Sequence, residues 1–161
     1  MRAAMKVLAI DPGFDRLGIA VLEGDPSRPT LVWSECVEPP KGAREMRLAA
    51  VEHAIASAIR EHSPALFALE SLYFSTNKKT AIGVAEARGA ALAAAGAAGL
   101  RVMEFSPGTV KLAVTGDGRA DKAAIARMIP RLVKLPPKKR RLDDELDAIA
   151  VGIAALASGG R

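Results

Sequence analysis

Val7-Leu-Ala-Ile10 is a short, unbroken apolar run that stops at Asp11-Pro12-Gly13. A run of this length reads as a buried strand, extending from Lys6 to Asp11. Pro12 biases Asp11 toward an extended conformation, and Gly13 supplies the turn. The pattern recurs at Pro64 to Leu69, again continuously apolar, which ends at Glu70. Each acid therefore stands at the end of a buried strand. A carboxylate there is hard to keep ionised without a partner, because a charge leaves water only at a cost. The plainer alternative for each is a solvated loop acid just past its strand.

Around these two runs the chain alternates. Leu17 to Leu22 is close enough to the first strand to pair with it as a hairpin, and Thr30 to Val37 offers a third strand. Arg44 to Glu61 carries Leu48, Val51, Ile55 and Ile59 at helical spacing. An Ala-rich helix over Lys78 to Ala98 precedes a strand over Leu100 to Phe105. Short helices around 107–114 and 121–133 lead to a Pro-Pro and basic loop. Leu142, Leu146, Ile149, Ile153 and Leu156 then define a last amphipathic helix. Three early strands followed by strands alternating with helices predict an α/β fold, a mixed sheet covered by helices on both faces. The 161 residues fit one domain.

Half the residues are hydrophobic and a quarter are charged, the balance of a folded, soluble protein. The apolar start is too short for a signal-peptide core. The stretch from Ala81 to Met103 carries Glu86, Arg88 and Arg101 and reads as a soluble helix, so a cytoplasmic protein is expected. Cys36 is the only cysteine and reads as a small core residue. The net charge of +5 is uneven: residues 1–110 are neutral, 111–141 carry +8 and 142–161 carry −3. A basic block beside an acidic helix suits a polyanion surface next to a cation site; a solvated positive face is the alternative.

Asp144 and Asp147 are three apart and project from one face of the last helix. Acids at a helix start also cap amides and complement the dipole. Asp147, a turn inside, is harder to explain that way, and spacing alone does not choose between Asp143 and Asp144 as its partner. If Asp11, Glu70 and this pair converge, their repulsion calls for a divalent metal, and hard oxygen donors suit Mg²⁺ or Mn²⁺. Two such ions about 3.5–4 Å apart form an arrangement that hydrolyses phosphodiesters.

Four segments carry a resemblance to a known family. Ala9-Ile-Asp-Pro-Gly13 with Gly18, Glu70-Ser-Leu-Tyr73-Phe-Ser-Thr-Asn77, Thr115-Gly-Asp-Gly-Arg-Ala-Asp-Lys122 and Asp144-Glu-Leu-Asp147-Ala-Ile-Ala150 resemble, in family order, the motifs of the RuvC Holliday-junction resolvases. The third is the most distinctive. The resemblance implies an RNase H-like five-stranded fold, a homodimer, paired symmetric nicks in four-way junction DNA, and partnership with the RuvA/RuvB branch-migration complex. It implies metal carboxylates at Asp11, Glu70, Asp144 and Asp147, preferring Asp144 over Asp143, with two ions per subunit. It implies DNA contacts from Tyr73, Phe74, Asn77, Lys78, Lys111, Arg119 and Lys122. Either aromatic is a candidate to stack on a base, position 73 being Tyr where Phe is common. The cluster Lys138 to Arg141 is expected to add phosphate contacts.

Three alternatives remain. Sugar-kinase and actin-like ATPases have similar opening motifs but need two lobes around a nucleotide. An RNase H-like nuclease acting on RNA would not be expected to carry the third and fourth motifs. A non-catalytic junction-binding module would be weakened by four acids at a polyanion surface.

Overall fold

The computed structural model describes residues 4–71, 78–138 and 140–161. It contains a five-stranded sheet of order β3-β2-β1-β4-β5, built from β1 (Met5–Pro12), β2 (Leu17–Gly24), β3 (Thr30–Val37), β4 (Leu66–Glu70) and β5 (Arg101–Phe105). β1–β2 and β2–β3 are antiparallel, whereas β1–β4 and β4–β5 are parallel. The sheet is mixed, as expected. The helices are α1 (Arg44–His62), α2 (Lys78–Ala97), α3 (Pro107–Thr115), α4 (Lys122–Leu132) and α5 (Asp143–Ala157).

The central strands are apolar throughout because both of their faces are covered. Leu8, Ile10, Ile19, Val21, Phe67 and Leu69 pack with residues of α1 and α2. Val7, Ala9, Ala20, Leu22, Leu66 and Ala68 pack on the opposite face with α3, α4 and α5. Each fully buried Leu, Ile or Phe contributes roughly 1.5–3 kcal/mol, so these two layers dominate the stability of the sheet.

Strand parity then aims the acids. Side chains alternate between faces, so Asp11 follows Val7 and Ala9, and Glu70 follows Leu66 and Ala68. Both carboxylates belong to the α5 face. Both belong to the sheet ladder: Asp11 pairs with Gly18 across the β1–β2 hairpin, and Glu70, the last residue of β4, pairs with Phe105. Asp11 is thus a half-buried strand residue rather than a solvated loop acid, whereas Glu70 is exposed at the end of its strand.

Cys36 departs from expectation. It is half-buried in the edge strand β3, outside both core layers. Among the described residues, no helix is long and apolar enough to cross a membrane.

Candidate metal centre

The last helix completes a group of acids that the sheet begins. One carboxylate oxygen each from Asp11, Asp144 and Asp147 can be chosen so that all three lie within 4.8 Å of one another. Glu70 stands outside that trio but lines the same cavity, of about 310 Å³, with Asp11, Asp147, Lys111 and Lys122. Asp143 is not in the trio. It lines a neighbouring hollow with Lys122, Leu146 and Asp147.

The acids of α5 are not occupied with capping. Leu142 is the N-cap residue and makes no side-chain cap bond. What brings α5 this close to β1 is Gly18. A β-carbon on Gly18 would overlap the carbonyl oxygen of Asp144 and crowd the amide of Glu145. Only a bare backbone lets the helix start lie against the strand that pairs with Asp11.

The two lysines arrive on capped helices. Ser106 accepts from the Thr109 amide at 3.1 Å to start α3, which carries Lys111. Asp121 accepts from the Ala124 amide at 2.8 Å to start α4, whose first residue is Lys122. Lys122 Nζ lies 3.4 Å from Asp147 Oδ2. Arg16 Nη1 is 4.0 Å from Asp144 Oδ2.

Burial, with Asp147, Asp144 and Glu70 close by, pushes the Asp11 carboxyl up to about 8. Glu70 is also raised, first by burial and then by Asp147, against the opposing pull of Lys111 and Lys122. Asp147 is raised by burial, with Lys122 opposing. Lys111, Lys122 and the more distant Arg16 leave the four acids short of neutral. The donor set fits a hard divalent cation, whose charge would let the carboxylates ionise together.

Residues 7–155 match the family model described as crossover junction endodeoxyribonuclease RuvC. The chain belongs to the RuvC family. The RuvC of Salinispora arenicola is 39% identical over 160 residues, covering 97% of this chain and 90% of that protein. The RuvC of Streptomyces coelicolor is 41% identical over 156 residues, covering 94% and 81%. The structure of Thermus thermophilus RuvC in complex with Holliday junction substrate matches with a TM-score of 0.89 at 28% identity, covering 96% of this chain and 94% of that one. The RNase H-like fold expected from the sequence is the fold of these relatives. RuvC nucleases are metal-dependent, in keeping with the acidic cluster here.

The DNA contacts implied by RuvC resemblance are distributed unevenly. Lys111 and Lys122 line the acidic cavity. Arg119 lines a second hollow of about 530 Å³ with Arg127 and Arg131, which shares Ala120 and Asp121 with the first. Tyr73, Phe74 and Asn77 lie outside the described residues, and Lys78 is described only as the first residue of α2.

The expectation of a phosphate-binding cluster at Lys138 to Arg141 needs correction. Lys138 Nζ donates to Glu145 Oε1 and Oε2 at 2.9 and 3.0 Å, and Arg141 Nε lies 3.6 Å from the same carboxylate. A buried carboxylate on α5 draws both cations to it, Arg141 largely buried and Lys138 still partly open to solvent. Arg140 is exposed, and Lys139 lies outside the described residues. Glu145 itself escaped notice in the sequence, although a signal was there. It lies three residues after Leu142 and four before Ile149, on the apolar stripe.

Proposed function

We infer that this chain is a structure-selective endonuclease that resolves Holliday junctions by metal-dependent phosphodiester hydrolysis, leaving paired symmetric nicks. The observation that carries the reading is the convergence of Asp11, Asp144 and Asp147, beside a cavity that Asp11 and Asp147 line with Glu70, Lys111 and Lys122. Acids alone would repel a polyanion; lysines alone would bind it without cutting. Together they suit a phosphodiester held against metal. The junction-bound Thermus relative supports four-way DNA as the substrate.

Asp11, Glu70, Asp144 and Asp147 would hold Mg²⁺ or Mn²⁺, two ions per protomer. When bound, such ions neutralise the acids, polarise the phosphodiester and activate the attacking water. Lys111 and Lys122 would hold the phosphate next to the acids. Arg119, Arg127 and Arg131 would continue the basic surface along a duplex arm.

A homodimer follows from the product, since two symmetry-related incisions require two copies of a site that cuts once. On α2, Ile82 is 66% exposed, and Ala85, Gly89 and Ala93 are exposed on the same side. Ala87, Ala91, Ala94 and Ala95 point inward and belong to the core. The outward stripe of small residues is the proposed dimer contact. The RuvA/RuvB branch-migration complex is the proposed cellular partner. The experiment is incubation with four-way, duplex and single-stranded DNA, each with and without Mn²⁺. Symmetric nicks confined to the four-way substrate with metal are expected; equal cutting of all three, or none, overturns the reading.

A further inference from the structure

Among the described residues, three charged side chains are buried: Arg47, Arg88 and Glu145, at 7, 8 and 1% exposure. None belongs to the acid-and-lysine cavity. Each instead grips a segment that carries one of its acids.

Arg47, on α1, donates to the carbonyl of Phe14 at 2.9 Å, to Asp15 Oδ1 at 3.0 Å and to the carbonyl of Pro40 at 3.3 Å. Its guanidinium lies 4.5 Å from the Phe14 ring centroid. It thereby fixes the turn that follows Asp11. Arg88, on α2, donates to the backbone carbonyl of Glu70 at 2.5 Å and pairs with Glu104 at 2.8 Å. Glu104 sits on β5, in register with Leu69. Arg88 thus ties the end of β4 to its neighbouring strand. Glu145 lies between Asp144 and Asp147 on α5. It accepts from Ser34 of β3 at 2.5 Å and from Lys138, with Arg141 beside it.

We propose that Arg47, Arg88 and Glu145 are positioning residues that hold Asp11, Glu70 and the Asp144–Asp147 turn in register for the metal site. The proposal rests on the nuclease reading and deepens it. Burying a charge is costly, and a well-packed apolar side chain of similar volume is often as stabilising or more so. Three such charges, each bonded to one acid-bearing segment, are better explained by geometric precision than by stability. Their bonds are directional, whereas apolar packing tolerates sliding. The site needs that direction, because misplacing a reacting group by about 1 Å can cost on the order of 100-fold in rate. Glu145 has a second consequence: it draws the basic loop onto the catalytic helix, so Lys138 serves the acids rather than the DNA.

The test compares Glu145→Gln, Arg88→Met, Arg88→Lys and Lys138→Met with the unaltered chain. Lys138 has a side chain 39% exposed, so its replacement leaves no sealed void. One readout is Mn²⁺ titration of the protein alone, followed by Tm. The other is kcat, KM and the salt dependence of junction binding. We expect the Mn²⁺ midpoint of Glu145→Gln, Arg88→Met and Lys138→Met to rise about tenfold or more, with kcat falling and the salt slope unchanged. Arg88→Lys, which keeps one bond, should recover part of the loss. A merely structural role would lower the metal-free Tm without moving the Mn²⁺ midpoint, and that result overturns the proposal. So does a Lys138→Met chain with a reduced salt slope and intact kcat. If Glu145→Gln fails to fold, Lys138→Met decides alone. An unaltered chain that shows no Mn²⁺ response sinks the nuclease reading, and this proposal with it; responses equal in variants and parent sink this proposal only.

Discussion

The α-carbon of Gly18 faces the carbonyl of Asp144 with no room for a side chain between them. The obstruction is backbone rather than a flexible side-chain tip, so relief requires the start of α5 to move. Overpacking of this kind typically costs about 1–3 kcal/mol. Gly18→Ala should therefore lower Tm by several degrees, and it should cost more in activity than in stability. Asp144 would be carried away from Asp11, and cleavage should fall by about 100-fold for a displacement near 1 Å. A Gly18→Ala protein that cuts junctions at the parent rate would show that α5 docks independently of this strand.

The acids should separate cutting from binding. Asp11→Asn, Glu70→Gln, Asp144→Asn and Asp147→Asn should each abolish cleavage while a gel-shift assay still detects junction binding. Asp143→Asn should cut nearly as well as the parent, since Asp143 is not in the trio around Asp11. Loss of cleavage in Asp143→Asn equal to that in Asp144→Asn would mean that the helix start presents its acids differently.

Metal-free stability should fall as pH rises. The folded protein keeps Asp11 protonated up to about 8, whereas the ordinary carboxylate value is 3.8. Between those values the folded chain binds this proton more tightly than the unfolded chain does. The group's contribution is thus complete below 3.8 and is lost as pH climbs toward about 8. With a chelator present, Tm should drop between about pH 5 and about pH 8, and Asp11→Asn should remove much of that slope. Mg²⁺ or Mn²⁺ should raise Tm more at the higher pH, because binding displaces the proton. Identical slopes in parent and Asp11→Asn would locate the proton elsewhere.

The basic residues should fall into two groups. Neutralising Arg127 or Arg131 should reduce the slope of log K against log salt by about one unit each and leave kcat on a saturating junction unchanged. Lys111→Ala and Lys122→Ala should reduce both, since these lysines share a cavity with the acids. A Lys122→Ala protein with normal kcat would restrict that residue to binding.

Gly89→Glu or Ala93→Glu should split a dimer detected by sedimentation at micromolar concentration and leave unpaired nicks. Both positions are exposed on α2, so the monomer should keep its fold. Paired, symmetric cutting by a chain that stays monomeric on DNA would refute the two-copy account.

The strands that carry Asp11 and Glu70 were legible because an unbroken apolar run of that length has few other uses. Their convergence with α5 was left conditional by spacing and was implied only by the motif resemblance; the structure brings Asp11, Asp144 and Asp147 together. The engagement of Lys138 and Arg141 was not legible. A cation's partner depends on which carboxylate the fold buries, and the pairing with Ser34 spans 111 positions. Glu145 could have been found on the stripe through Leu142 and Ile149, but its neighbours made it look like one more acid at a helix start. Gly18 was visible as a motif residue, while its reason needed the approach of α5. The small residues of α2 looked uniform in sequence; the structure divides them into an inward and an outward set.

Asp144 and Asp147, the two acids of α5 proposed to hold metal, ride on a helix whose remaining length is almost wholly buried, from Ala148 to Leu156. During synthesis, Asp11 and Glu70 emerge long before that helix does. A nascent or partly melted chain would therefore expose apolar surface but only half of the proposed metal site. On that proposal, nuclease activity would be a property of the finished molecule, and a copy that lost α5 would lose its cut rather than cut carelessly.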